Sequence, residues 1–236
     1  MWTYLRDAGI EFGFPHQAHR MHLKPHLHTS AQIMVVTGGS RRVQLGGRAV
    51  IVPTGSMLII PPGVAHAADG SGWDGFNAYF DHSLVPGLTA SLLRFTHLPH
   101  WVNEVGKHGL ECDISCILAL MPEGMTAWSD PGLSPYHPES TEPAGWPQSR
   151  EGQIRRYRRE SGITPHAHFK AIQLDRARQK LARGEAIAAV AAELGFTDQS
   201  HLGRQFLATF GTSPGRYGSG QAGSITNVPD GHSRRS

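Results

Sequence analysis

Between Gln32 and Phe80, short β-branched and aromatic runs (QIMVVT, RRVQL, AVIVP, SMLIIPP and FNAYF) alternate with Gly38-Gly39, Gly46-Gly47, Thr54-Gly55 and Pro62-Gly63. Short strands at close spacing with turn residues between them predict an all-β sandwich or barrel. Two longer apolar stretches follow, LVPGLTASLLRF and ISCILALM, and these predict two helices that either cover the barrel or pack on a second copy. Breakers then dominate: Pro122, Pro131, Pro135, Pro138, Pro143 and Pro147 each remove a backbone donor and oppose a helix, so 122–147 reads as a linker.

Helical periodicity returns at SREGQIRRYRRESG, with Ser149 as its cap, Ile154 and Tyr157 as its buried pair and Gly162 as its stop. A long helix is predicted from Pro165 to Ala182, burying Leu174, Ala177 and Leu181. Next come Ile187, Val190, Ala191 and Leu194 at the spacing of one helix face, then Gly195 as a stop. Thr197 is expected to cap a second helix that buries Leu202, Phe206 and Phe210 and shows His201, Arg204, Gln205 and Ala208. A short apolar helix, a glycine turn and a polar-faced helix predict a helix-turn-helix whose outward face enters a DNA major groove. From residue 218 the chain is small, polar and aperiodic, which predicts a disordered tail over 218–236.

Charge sharpens this division. Residues 1–144 hold 8 Lys+Arg against 12 Asp+Glu, whereas residues 145–217 hold 12 against 6. A polyanion partner is therefore expected for the rear half alone. No run of 18 apolar residues is present and the first residues lack a signal-peptide pattern, so a cytoplasmic protein without a membrane span is expected. Cys112 and Cys116 are too few for a zinc site and are expected to be reduced thiols.

Histidines gather on the β-rich frame. His26 and His28 share a face of an extended segment, Gln32 keeps the same parity, and His66 closes GSMLIIPPGVAH. This stretch resembles the cupin superfamily. His26, His28 and Gln32 match its first motif, with Gln where metal-binding members usually carry Glu; Gly55, Pro61, Gly63 and His66 match its second. The resemblance implies ligands at His26, His28, Gln32 and His66 for zinc, iron, nickel or copper. The alternative is a polar sensor pocket whose histidines hydrogen-bond around the barrel mouth.

The rear half resembles the AraC/XylS DNA-binding domain, on the Arg-Ala-Arg-x-x-Leu helix, the Gly-Phe turn, Asp-Gln-Ser-His-Leu-x-Arg-x-Phe and Phe-Gly-Thr-Ser-Pro-x-x-Tyr. Such domains carry two helix-turn-helix units joined by a long helix. The resemblance implies DNA contacts at Asp198, Gln199, Ser200, His201, Arg204 and Gln205, with Thr197 at the edge of that face. In the first unit it implies contacts at Arg150, Gln153, Arg155 and Arg156. The apolar helix that should precede them is replaced by HPESTEPAGWPQ, so this unit is expected to be incomplete.

The expected architecture is thus a cupin-like β-barrel sensor with flanking helices over 1–121, a linker over 122–147, and an all-α helix-turn-helix domain over 148–217. The expected function is non-enzymatic: a DNA-binding transcriptional regulator whose front domain senses a small molecule or metal. Its expected partners are promoter DNA, a second copy of itself and RNA polymerase. The rival reading is a metal-dependent cupin enzyme carrying a DNA-binding module.

Overall fold

The computed structural model describes residues 2–7, 9–15, 23–69, 72–99, 102, 105, 114–130, 133 and 149–220. The front part is antiparallel and built on β3 (Ala31–Leu45). Its first half pairs with β5 (Ser56–Ile60) and β7 (Trp73–Phe80), and its second half with β4 (Arg48–Pro53) and β6 (His66–Ala68). Beyond β7 lie β2 (Ile10–Pro15) and β1 (Trp2–Asp7); beyond β5 lie β8 (Ala90–Arg94) and β9 (Met125–Asp130). Both faces of the first half of β3 are covered. Ile33 and Val35 join one apolar cluster, with Phe12, Phe76, Ile59 and Ile117, while Met34 and Val36 join the other. A strand buried on both sides reads as a continuous apolar run, which is why QIMVVT shows no alternation.

Several expectations are corrected. Gly38-Gly39 is no turn between two strands; it is a bend inside the single 15-residue β3, where the register shifts between Val36 and Gly38. Gly39 has φ 68°, and a Cβ there would stand 1.9 Å from the Gly72 carbonyl oxygen, so only glycine lets β3 pass from one set of partners to the other. The stretch LVPGLTASLLRF contains β8 rather than a helix. Leu92 and Leu93 face opposite clusters, and a short run buried on both sides cannot be told from a helix by period alone. The expected linker contributes β9 in its first part. Its six residues contain no proline and satisfy the free edge of β8. Of the rest of the linker, residues 122–124 and Leu133 are described; the others, and the tail beyond 220, lie outside the described residues. Strands β1 and β2, which the pattern analysis left unassigned, close the front sheet.

Among the described residues, the α-helices with defined bounds are α1 (Ile114–Leu120), α2 (Arg150–Ser161), α3 (Pro165–Ala182), α4 (Ile187–Glu193), α5 (Gln199–Phe210) and α6 (Pro214–Gly218). Ser149 caps α2 by accepting from the Gly152 N–H, and Gly162 ends it at φ 81°. Tyr157 is buried as expected. Ile154 is 37% exposed, so it is not the second member of a buried pair. Leu174, Ala177 and Leu181 of α3 pack with Val190 and Ala191 of α4 and with Leu202, Phe206 and Phe210 of α5. The cap of α5 is Asp198 rather than Thr197. Its backbone is extended and its carboxylate accepts from the His201 N–H at 2.6 Å, which a residue one position earlier cannot reach in register. Among the described residues, no helix is long and apolar enough to cross a membrane.

Candidate functional site

Two assemblies carry the candidate chemistry, one inside the sheet and one on the helices. In the first, His26 and His66 face each other across an isolated β-bridge, their backbone N–H and C=O groups exchanging hydrogen bonds of 2.8 Å. His28 lies two residues on, on the same side. The Pro61-x-Gly63 turn is tied to it, because the Gly63 N–H donates to the His28 carbonyl at 2.8 Å. The rings of His26 and His28 stand 4.3 and 4.9 Å from that of His66, and one nitrogen from each of the three lies within 4.8 Å of the others.

Each ring is oriented by its far nitrogen. Nδ1 of His26, His28 and His66 meets the carbonyl of Lys24, Ser30 and Val64 at 2.8, 2.7 and 2.9 Å. A neutral imidazole that donates Nδ1–H to a carbonyl keeps its lone pair on Nε2, the tautomer a metal ion needs. All three are held neutral. Burial pushes His26 and His28 down to about 3, with His28 and His66 respectively as the next cause, and burial beside His26 holds His66 well below the usual range. Among the described residues Nε2 of His66 is buried without a partner, and Nε2 of His28 lies 2.8 Å from Oε1 of the Gln32 amide. With Nδ1–H already given to Ser30, that contact requires the amide to present its NH2, or a cation to sit between two acceptors. The four residues named from sequence therefore converge, and the donor set suits a borderline divalent ion.

The sequence reading missed what surrounds them. Arg41 is 2% exposed and sandwiched between Trp2 and Trp73, whose ring centroids lie 5.3 and 4.1 Å from its guanidinium carbon. Burial pushes it down to about 10. Its inward direction was legible, since Arg41, Val43 and Leu45 alternate on one face. Tyr79 packs edge-on against His28, and Phe210 of α5 reaches His26 at 5.9 Å between ring centroids.

The second assembly is the helix-turn-helix of α4 and α5. Gly195 turns at φ 72°, Phe196 is buried behind it, and the Gln173 side chain donates to the Leu194 carbonyl, fixing α4 to α3. Thr197, Asp198, Gln199, Ser200 and Arg204 are exposed; His201 and Gln205 are half-buried along the same helix. The other four candidates divide. Arg150 is exposed, Gln153 is half-buried, Arg156 pairs with Glu160 at 2.8 Å, and Arg155 faces the barrel.

A polar network joins the two assemblies. Glu11 of β2 accepts from Arg6 and Arg178 at 2.8 Å each and from the Tyr217 hydroxyl. Arg178 also meets Asp175 at 3.2 Å, and Asp175 accepts from the backbone and hydroxyl of Thr29 at 3.0 Å. The N–H of Lys24 donates to Ala208 O at 3.1 Å. The segment carrying His26 and His28 is thus tied at one end to α5 and at the other to α3.

Comparison with known proteins agrees with this geometry. Residues 8–133 match the family described as the AraC-like ligand binding domain, and residues 149–219 match a helix-turn-helix domain. Among solved structures, ToxT from Vibrio cholerae is similar at a TM-score of 0.50 and 10% identity, covering 91% of this chain and 98% of that one. ToxT of strain SCE256 with an unsaturated fatty acid bound gives 0.51 and 10%, covering 94% of each. These two likenesses show a shared fold. No curated protein matches the sequence.

Proposed function

The chain belongs to the AraC family of regulators, with a ligand-binding front domain and a helix-turn-helix rear domain, and on that premise we propose how each part is used. The protein is a DNA-binding transcriptional regulator that senses an effector. Sequence is read by α5: Gln199, Ser200, Arg204 and Gln205 meet base edges, with Thr197, Asp198 and His201 beside the phosphates. The observation that carries this is the free outward face of α5 on a helix-turn-helix whose inward face is fully packed. Arg150, Gln153 and Arg156 of α2 contribute contacts to phosphates, which give affinity and salt dependence rather than sequence choice. The working form is a cytoplasmic homodimer that acts with RNA polymerase and carries out no chemistry of its own.

The effector site lies at His26, His28 and His66, completed by Gln32. Its three neutral, pre-oriented imidazoles and the orphaned His66 Nε2 fit zinc, iron, nickel or copper. When bound, such an ion would act as a Lewis acid that fixes the three rings and offers a position to an oxygen-bearing ligand. Gln32 in place of a carboxylate leaves the ion's charge undiminished.

The test is a salt-titrated binding assay on the protein's own upstream DNA. Arg204→Ala should cost about 1–3 kcal/mol and relax sequence preference, whereas Arg156→Ala should weaken binding to every sequence and lower the salt slope. Unchanged promoter binding by Arg204→Ala would refute the assignment of the reading face.

A further inference from the structure

Arg155, Arg158 and Arg159 lie at i, i+3 and i+4 on α2 and share one face of it. That face is turned towards the barrel, where the three side chains line a cleft of about 530 Å3 with Gln44, Gly47 and His66. Among the described residues no carboxylate lines the cleft and no ion pair neutralises any of the three guanidinium groups, whereas Arg156 on the same helix is paired with Glu160. The distance between helix and barrel is set by backbone: a Cβ at Gly162, the stop of α2, would stand 2.4 Å from the Gly47 nitrogen in the β3–β4 turn. The cleft is therefore of small-molecule size.

We propose that this cleft is a second ligand site, bordering the histidine cluster at His66, and that it takes a small polyanion carrying two or more carboxylate or phosphate groups. Three cations on one helix face, unpaired among the described residues and lining one open cleft, repel one another, and a ligand with two or more anionic groups removes that repulsion. Guanidinium groups grip carboxylate and phosphate oxygens through paired N–H donors, so the face is suited to bridging two such groups at once. The binding has a consequence for DNA. Arg155 belongs to the helix expected to meet the phosphate backbone, and a polyanion held between α2 and the barrel keeps that face from the duplex. Ligand and DNA then favour different arrangements, and each weakens the other by the same factor.

The test uses the full chain, stripped of metal and dialysed so that the histidine site does not contribute. Citrate and pyrophosphate are titrated by calorimetry at an ionic strength held constant with sodium chloride. At least one of the two should bind with saturation at one site, and which one does separates carboxylate from phosphate recognition. The exposed pair Arg158→Gln/Arg159→Gln should weaken that binding by roughly tenfold or more, with Arg155→Gln as an independent second variant. Arg204→Gln, on α5, should leave it unchanged. The bound anion should also lower the affinity of the unmodified protein for its upstream DNA. The proposal is overturned by no binding beyond that of chloride, by equal binding to both cleft variants, or by a loss that follows Arg204→Gln instead. None of these outcomes bears on whether α5 reads DNA sequence or the histidines hold a metal, so the two readings fail separately.

Discussion

Removing the carboxylate of Glu11 tests whether the front and rear domains are held together by charge. Glu11 and Arg178 have side chains only 11% and 5% exposed, and they meet at 2.8 Å across the domain boundary. At an effective dielectric constant of about 20, two unit charges at that distance attract by roughly 6 kcal/mol. Most of that offsets the cost of desolvating both groups. Truncating one partner of a buried pair therefore costs about 3–5 kcal/mol, chiefly because the other charge is left stranded. Glu11→Gln leaves Arg178 with Asp175 at 3.2 Å, so the lower end, about 3 kcal/mol, applies. If the loss falls on docking rather than on the barrel itself, it shifts the balance between docked and released arrangements about a hundredfold. Urea unfolding of Glu11→Gln, Arg178→Met and the double variant forms a complete cycle. The expected coupling is about 2 kcal/mol or more, with the released helical domain melting ahead of the barrel. A coupling below about 0.5 kcal/mol would show that apolar contacts alone hold the domains and would refute the reasoning.

Three further outcomes follow from the geometry. In metal-free protein the folded-state pKa values of His26 and His28 (about 3) and the lowered value of His66 lie below the unfolded value of about 6.5. The unfolded chain then binds more protons between those limits, so stability is complete above pH 6.5 and falls as pH drops towards 3. The loss is up to about 1.4 kcal/mol per pH unit for each ring, and urea unfolding at pH 7.5, 6 and 5 measures it; a flat profile refutes neutral burial. Zinc or nickel should raise the melting temperature of the purified protein, and His66→Ala should abolish that rise while leaving DNA binding by the metal-free form intact. Gly39→Ala should destabilise the barrel by about 2–4 kcal/mol, since φ 68° is strained for any side chain and the Gly72 carbonyl occupies the space; denaturant titration should show an unchanged slope with a lower midpoint.

The helical half was legible almost to the residue, because its signals are local. Pro165–Ala182 has its cap, its period and its stop within one stretch, and Gly195 marks its turn by the conformation it alone takes easily. The sheet was less so. What makes Gly39 a bend and Leu92-Leu93 a strand is the company each keeps across the fold, and neither neighbour is near in sequence. The same division holds for the sites. His26, His28, Gln32 and His66 could be named because the cupin motifs they resemble are local in the primary structure. Glu11, Asp175 and Arg178 could not, since the network exists only when residues 11 and 178 come together, and each alone reads as an ordinary surface charge.

The first strand bears on how the chain reaches this state. The Trp2 N–H donates to the Gly211 carbonyl, the Tyr4 hydroxyl to that of Phe210, and the Arg6 guanidinium to that of Tyr217. Each of these contacts joins residues more than 200 positions apart, so the loop they close is nearly the entire described chain. During synthesis β1 emerges more than 200 residues ahead of these partners in α5 and α6. Contacts of such sequence separation are slow to close, so β1 can pair with β2 before it meets the helices. A chain truncated before Phe210 would leave the aromatic side chains of β1 without the helical residues that share their core.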